Sequence, residues 1–328
     1  MKKKMTVSAL ALTCMSASAF SATHCGSDVL PSWGNSASKD AIVTFVNQTS
    51  SESSMHFVPI EDRIAVFDND GTLWSEKPAY FQLAFALDQI KSMAKHHPEW
   101  KTQEPFMFVL QDDLESFKAG GHHAIEEVVK ATHSGVTVEE FQETVKAWIE
   151  VTKDPRFGKR YTELTYKPMK ELLNYLQEHG FTNYIVSGGG VDFMRSWAPE
   201  VYGIPSQHII GSATGYTYNY NDGQPTITKD ADIALLNDKT IKPESIAQFI
   251  GKKPILAVGN SDGDHAMMQW ATSQKNSMAM IVHHTDAQRE WQYDRDSSVG
   301  RLDKAMDEAN VRDNWHLIDM KSDWCTVY

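Results

Sequence analysis

The sequence predicts an α/β protein, a doubly wound and mostly parallel sheet interrupted by an inserted all-helical domain. Three observations predict it. Apolar runs at 63–67, 181–186 and 254–258 each stop at a turn rich in glycine or carboxylates, the pattern of short strands buried on both faces. Helix-period spacing of apolar residues fills the intervals around them. One long interval, 101–170, offers no convincing strand.

The chain opens with Lys2-Lys3-Lys4, an apolar run over 5–15, and small residues that offer a cleavage site at Ala17-Ser18-Ala19. This is the layout of a secretory signal peptide over residues 1–22, too short to serve as a stable membrane anchor. Cys14 follows Leu12-Thr13, and that threonine argues against a lipid-attachment site. The expectation is export, to a periplasm or beyond the cell. Loss of the segment leaves Cys25 and Cys325, one near each end. In an oxidising compartment they suggest a disulfide, with two unpaired thiols as the alternative. A bridge closing so long a loop would contribute roughly 4–6 kcal/mol in the chain-entropy model.

Beyond a loop that runs to Asn35, Ser38-Lys39-Asp40 precedes a helix whose apolar stripe is Ile42, Val43, Phe45 and Val46. Strand 63–67 comes next. From Pro78 the period is helical, through Tyr80, Leu83, Ala84, Leu87 and Ile90. Leu110, Leu114 and Phe117 predict one further helix, Ile125, Val128 and Val129 a second, and Phe141, Val145, Trp148 and Ile149 a third. Gly120-Gly121-His122-His123 separates the first two of these. Residues 167–179 read as a helix stopped by Gly180, and 181–186 as a strand that ends at Ser187-Gly188-Gly189-Gly190. Alternating Tyr and Thr over 209–228, with the turn Asn221-Asp222-Gly223, predict a hairpin. A helix over 243–250, a strand over 254–258, a helix over 264–270 and strands at 278–282 and 316–318 complete the reading. The domain expectation is therefore an α/β core, 23–78 and 166–328, with a helical insertion at 79–165.

The formal charge is −12, and without the first 22 residues it is −15, from 28 basic against 43 acidic residues. An acidic surface repels nucleic acid and anionic lipid, so neither is an expected partner.

The chemistry gathers at the end of the first strand. In open α/β sheets ligands bind beyond the carboxyl ends of the strands, and Asp68 and Asp70 stand there two residues apart. Extended geometry projects both to one side. Two carboxylates so close need a cation, or one must hold a proton. That arrangement suits a nucleophile and a general acid/base, and Gly71 permits the tight turn behind them. An acidic turn that merely solvates the sheet end, or a calcium-type loop, is the alternative.

Asp68-Asn69-Asp70-Gly71-Thr72-Leu73 after an apolar strand resembles the first motif of the haloacid dehalogenase (HAD) superfamily, in its phosphatase branch. Tyr184-Ile185-Val186-Ser187-Gly188-Gly189 resembles the second, where a hydroxyl and open backbone amides meet an anion. Lys242-Pro243, with the lysine 18 residues before Asn260, matches the third, with Lys239 as competitor. Ala257-Val258-Gly259-Asn260-Ser261-Asp262-Gly263-Asp264 resembles the fourth, an acidic cluster that holds Mg²⁺. There the chain departs from the pattern. Asn260 stands where an aspartate is usual, and an amide oxygen ligates a hard cation without a full charge. Asp264 matches the second acidic position, and Asp262 is an additional acid nearby. The resemblance covers roughly 60–78 and 165–285.

The resemblance implies a Rossmann-like core with a C1 cap closing over the site, in an exported, phosphoserine-phosphatase-like enzyme. The implied activity is Mg²⁺-dependent hydrolysis of a small phosphomonoester through an aspartyl-phosphate on Asp68. Asp70 would protonate the leaving alcohol and then take a proton from water. The implied metal ligands are Asp68, the main-chain oxygen of Asp70, and Asn260 or Asp264. Thr72, Ser187, the Gly188 amide and Lys242 would hold the phosphoryl oxygens. Dehalogenases of the family lack the second aspartate, so Asp70 argues against that rival, and export argues against a phosphomutase. A non-catalytic phosphate- or metal-binding protein, with Asn260 as a mark of lost catalysis, is the remaining alternative. Outside the motifs, His283-His284 follows a strand end and either approaches the site or, the favoured reading, sits at the surface or in packing; His122-His123 either touches the substrate from a cap loop or belongs to a glycine-rich hinge. Trp74 and Glu76 either read a cationic group of the substrate or pack the cap.

Overall fold

The computed structural model describes residues 25–26 and 29–328; the expected signal peptide at 1–22, Cys14 included, lies outside the described residues. The first helix, α1 (Ala37–Ser50), starts at Ser36, whose hydroxyl accepts from the Lys39 amide, and buries Ile42, Phe45 and Val46. Strand β1 (Ile64–Phe67) is buried at every position. Five helices follow without a strand among them: α2 (Phe81–Met93), α3 (Phe106–Leu110), α4 (Leu114–Ala119), α5 (Gly121–His133) and α6 (Val138–Val151). The α/β alternation then resumes with α7 (Lys167–Glu178) and β2 (Thr182–Gly190), and the short helices α8 (Val191–Arg195) and α9 (Ala198–Tyr202). Strands β3 (Ile209–Asn221) and β4 (Gln224–Leu235) form the hairpin, closed by the pair Asn221 and Gln224. Next come α10 (Ile241–Phe249), β5 (Leu256–Gly259), α11 (His265–Ala271), β6 (Met278–Thr285) and β7 (Gln292–Tyr293). The chain closes with α12 (Lys304–Ala309), β8 (Trp315–Asp319) and α13 (Met320–Asp323).

The strands form one sheet in the order β4-β3-β2-β1-β5-β6, with β8 and the short β7 both paired to β6. Pairing is parallel except at β3/β4 and β6/β7. The chain runs from β1 outward to β2 and β3, then returns to place β5 on the other side of β1. Strand β1 is therefore the point where the winding reverses, and a crevice opens beyond its carboxyl end. Side chains along the central strands alternate between two cores. Ala65, Phe67, Leu256, Val258, Met278 and Met280 face one, and Ile64, Val66, Ala257, Ala279 and Ile281 the other. A third, smaller core around Ile90, Trp100, Phe106, Phe117 and Val128 belongs to the inserted helices.

The structure departs from the sequence reading at four places. Strand β2 does not stop at Ser187 but runs through Gly190, with a register shift against β3 between Val186 and Gly190. The helix expected across Leu110, Leu114 and Phe117 is two, because Asp113 turns its carboxylate onto the Ser116 amide at 3.0 Å and caps a new start. Gly121 to His123 begin α5 rather than forming a linker. The hairpin reaches over the inserted helices: Lys229 exchanges backbone hydrogen bonds with Gly135 and Val136, each 2.9 Å.

The two ends of the described chain meet. A disulfide joins Cys25 to Cys325, with 5.9 Å between Cα atoms and 300 residues between them in sequence. Beside it Cys325 donates its amide to the Ser32 carbonyl at 2.8 Å, and Trp33 meets Trp324 edge to face at 6.1 Å.

Candidate active site

Beyond the carboxyl end of β1 lies a cavity of about 360 Å³ whose walls include Asp68, Asp70, Glu76, Ser187, Gly188 and Lys242. Four segments distant in sequence supply its inner end. Asp68 continues the sheet, its amide donating to the Val258 carbonyl at 2.9 Å. The Asn69 carbonyl then accepts from Thr72, Leu73 and Trp74, and winds the chain into a turn. Gly71 has a φ of +74°, and a Cβ there would collide with Asn260 and Glu76. The turn is held from behind by His284, whose Nε2 donates to the Gly71 carbonyl at 2.7 Å while Nδ1 faces the buried Glu290 carboxylate at 3.1 Å.

Lys242, in the first turn of α10, is 2% exposed and donates to Asp68 Oδ1 at 2.7 Å and Asp264 Oδ1 at 2.6 Å. Lys239, its competitor in the sequence, faces solvent with a 75% exposed side chain. Ser187 and Gly188 stand on the glycine stretch of β2. Asn237 Nδ2 donates to the Ser187 carbonyl at 2.9 Å and Ser212 Oγ to the Gly188 carbonyl at 2.8 Å, which pins that stretch beside the carboxylates.

Asp264, expected among the metal ligands, has both oxygens engaged. Oδ1 takes the lysine, and Oδ2 accepts from the amides of Asn260 and Ser261 at 3.0 and 3.1 Å. It positions Lys242 and the β5 turn, and it does not line the cavity. Thr72, expected at the phosphoryl oxygens, is fully buried behind the turn and donates its hydroxyl to Asn260 Oδ1 at 3.1 Å. Asp262 accepts from the amides of Asp303 and Ala305, each at 3.0 Å, and so caps α12.

Burial lifts the Asp68 carboxyl to about 8; the Asp264 charge adds to the rise and Lys242 opposes it. Burial also lifts Asp70, to about 6, against the hydrogen bond from Trp74. Glu76 is pushed well above the usual carboxylate range by burial and by the Asp70 and Asp68 charges, with Tyr293 opposing. Burial would lower Lys242, but Asp264 and Asp68 outweigh it and keep the ammonium charged. Asp68, Asp70 and Glu76 thus crowd one wall against the Lys242 ammonium. A divalent cation relieves that crowding, and an all-oxygen donor set suits a hard one. Among the described residues no three Asp, Glu, His or Cys side chains already converge as a metal cage. Of the expected ligands Asp68 and Asp70 line the cavity, whereas Asn260 does not: its Oδ1 accepts from the Thr72 hydroxyl and its Nδ2 donates to Glu76.

The outer half of the cavity is built by the inserted helices and the hairpin together. Gln82 of α2 accepts from the Gly190 amide at 2.7 Å and donates to His133 Nε2 at 3.1 Å. Burial and the Lys229 charge lower His133 to about 3, so the ring is neutral. Lys229 of β4 pairs with Asp192, which also accepts from the Tyr216 hydroxyl at 3.1 Å. Sequence reasoning missed Gln82, His133, Asp192 and Lys229. Trp74 is buried in packing, stacked on Trp197 at 4.1 Å, with Nε1 donating to Asp70 Oδ1 at 2.7 Å. Glu76 lines the cavity.

A family model described as haloacid dehalogenase-like hydrolase matches residues 65–269. No curated protein matches the chain. Among solved structures, a conserved protein of unknown function from Anaerococcus prevotii aligns over 83% of this chain and 88% of its own, at 15% identity and a TM-score of 0.51. A protein of unknown function from Bordetella pertussis aligns over 79% of this chain and 98% of its own, at 14% identity and a TM-score of 0.49. A phosphoserine phosphohydrolase-like protein from Francisella tularensis aligns over 67% and 87%, at 15% identity and a TM-score of 0.35. At such identity the first of these likenesses speaks to the fold.

Proposed function

The chain belongs to the haloacid dehalogenase-like hydrolase family, and from that premise we propose that it is a Mg²⁺-dependent phosphomonoester hydrolase acting through Asp68. The observation that carries the reading is the Lys242 ammonium held 2.7 Å from Asp68, from a segment 174 residues away, at the mouth of β1. Asp68 Oδ attacks phosphorus and forms an acyl phosphate as the phosphorus–oxygen bond to the leaving group breaks. Asp70 gives its proton to the departing oxygen, then takes one from the water that attacks phosphorus and frees Asp68. A carboxyl lifted to about 6 suits both halves of that cycle. Lys242, the Ser187 hydroxyl and the Gly188 amide neutralise and orient the phosphoryl oxygens. Bound Mg²⁺ supplies the charge that lets an anionic nucleophile approach an anionic ester. Asp68 and the Asp70 main-chain oxygen would hold it.

Gln82, His133 and Lys229, with the apolar wall around them, select the alcohol part of the substrate. Export is part of the proposal: the basic and apolar N-terminus and the Cys25–Cys325 disulfide support it. The test is hydrolysis of an aryl phosphate by the mature chain with and without chelator. Turnover that Mg²⁺ restores after chelation is expected. Turnover indifferent to chelation, or no turnover on any member of a phosphomonoester panel, contradicts the proposal.

A further inference from the structure

We propose that Glu76 supplies the carboxylate that position 260 lacks, so that Glu76 and Asn260 form an exchanged pair at the cation-binding end of the site. The inference rests on the phosphatase reading above and deepens it. Asn260 Nδ2 donates to Glu76 Oε1 at 2.7 Å, and the Tyr293 hydroxyl donates to the same oxygen at 2.8 Å. Thr72 donates to the other end of the amide at 3.1 Å, so both ends of Asn260 are engaged, with its nitrogen toward Glu76. An aspartate at 260 would set a second carboxyl group against Glu76 Oε1 at hydrogen-bond distance, and the two could meet only with a proton shared between them. The amide at 260 is thus what a glutamate at 76 requires.

The backbone is cleared around that glutamate from two sides. Gly71 and Gly300, more than two hundred residues apart, both have positive φ, +74° and +65°. A Cβ on either would collide with Glu76 Oε1. Glu76 itself lines the cavity beside Asp68 and Asp70, whereas Asn260 and Asp264 do not. Asp68, Asp70 and Glu76 are the acids that border the inner cavity, and all three lie on the segment that follows β1. On this account Asn260 is matched to Glu76 and is no mark of lost catalysis.

The test is titration of the mature chain with Mg²⁺ alone, followed by calorimetry, for wild type, Glu76→Gln, Asn260→Asp and the double variant, with thermal melts of each in chelator. Glu76→Gln is expected to weaken Mg²⁺ binding about ten- to hundredfold while its melt in chelator holds. Asn260→Asp alone is expected to melt lower in chelator and to gain no affinity. The double variant, which restores one acid and one amide with the hydrogen bond reversed, recovers Mg²⁺ binding to within a few-fold of wild type. Unchanged binding by Glu76→Gln, or a double variant no better than Glu76→Gln, overturns the exchange and leaves the phosphatase reading standing. A wild-type chain that takes up no Mg²⁺ overturns both.

Discussion

Trp74 donates its indole Nε1 hydrogen to Oδ1 of Asp70 at 2.7 Å, four residues along the same turn. The ring is fully buried, stacked on Trp197 and edge-on to Phe81, so it has no freedom to read a substrate. Its task is to aim Asp70. Trp74→Phe keeps most of the packing and removes the donor. That hydrogen bond opposes the rise of Asp70 to about 6, so its loss moves the Asp70 limb of the pH–rate profile to higher pH. Turnover at neutral pH falls roughly 10- to 100-fold, the value of a hydrogen bond to a charged group. An unmoved profile in that variant would remove Trp74 from the mechanism.

Lys242 joins Asp68 to Asp264 in the interior. Lys242→Met leaves the buried carboxyl groups of Asp68 and Asp264 without their cation. Breaking such a pair costs about 3–5 kcal/mol, so denaturant midpoints fall markedly at pH 7 and turnover is lost. The Asp68 carboxyl, already lifted by burial, takes up a proton more readily once the ammonium is gone, so the deficit shrinks as the buffer is made more acid. A deficit that grows toward low pH contradicts this assignment of charge.

His133 gives the opposite sign on the wild-type chain. Its folded value, about 3, lies below the ordinary imidazole value, because burial and Lys229 resist the charged form. Above the unfolded value the ring is neutral in both states and neither gains. As pH falls through about 6.5 the unfolded chain takes a proton the folded one refuses, and stability is lost. Between pH 7 and pH 5 the loss is on the order of 2 kcal/mol. His133→Asn, measured by urea unfolding at both pH values, is expected to narrow that gap by a comparable amount.

Reduction of the Cys25–Cys325 disulfide releases the two chain ends that pair through Ser32, Trp33 and Trp324. Neither cysteine lines the cavity. Cys25→Ser with Cys325→Ser therefore lowers the stability by roughly 2–5 kcal/mol while leaving turnover below the melting temperature near its original level. Melts with and without reductant on wild type give the same comparison.

What the sequence disclosed followed from position along the chain. Asp68, Asp70, Ser187 and Lys242 stand where strands end or a helix begins, and the structure brings these four to one cavity wall. The parallel sheet and the helical interval after β1 were equally legible, since buried strands and helical stripes leave different spacings. The residues that escaped, Gln82, His133, Asp192 and Lys229, belong to common types and meet across distance: Gln82 reaches His133 over 51 residues and Gly190 over 108, and Lys229 reaches Asp192 over 37. Glu76 and His284 were in view, but their partners Tyr293 and Gly71 lie 217 and 213 residues away. No local pattern marks either contact. Gly188 to Gly190 read as a turn because glycine breaks an apolar run, yet β2 keeps extended pairing through Gly190 beside Ser212. Leu110, Leu114 and Phe117 keep helical spacing across a real break, and the overlooked signal was the capping carboxylate of Asp113. The hairpin was expected, but its place over the cavity was not, since that depends on Lys229 pairing with the loop between α5 and α6.

The central claim is a covalent bond between phosphorus and Asp68, and acid quenching during turnover of a ³²P-labelled phosphomonoester tests it most directly. Label is expected on the wild-type chain, carried by the peptide containing Asp68, released by hydroxylamine and absent from Asp68→Asn. Turnover by wild type with label on no peptide, or label and turnover that persist in Asp68→Asn, contradicts it.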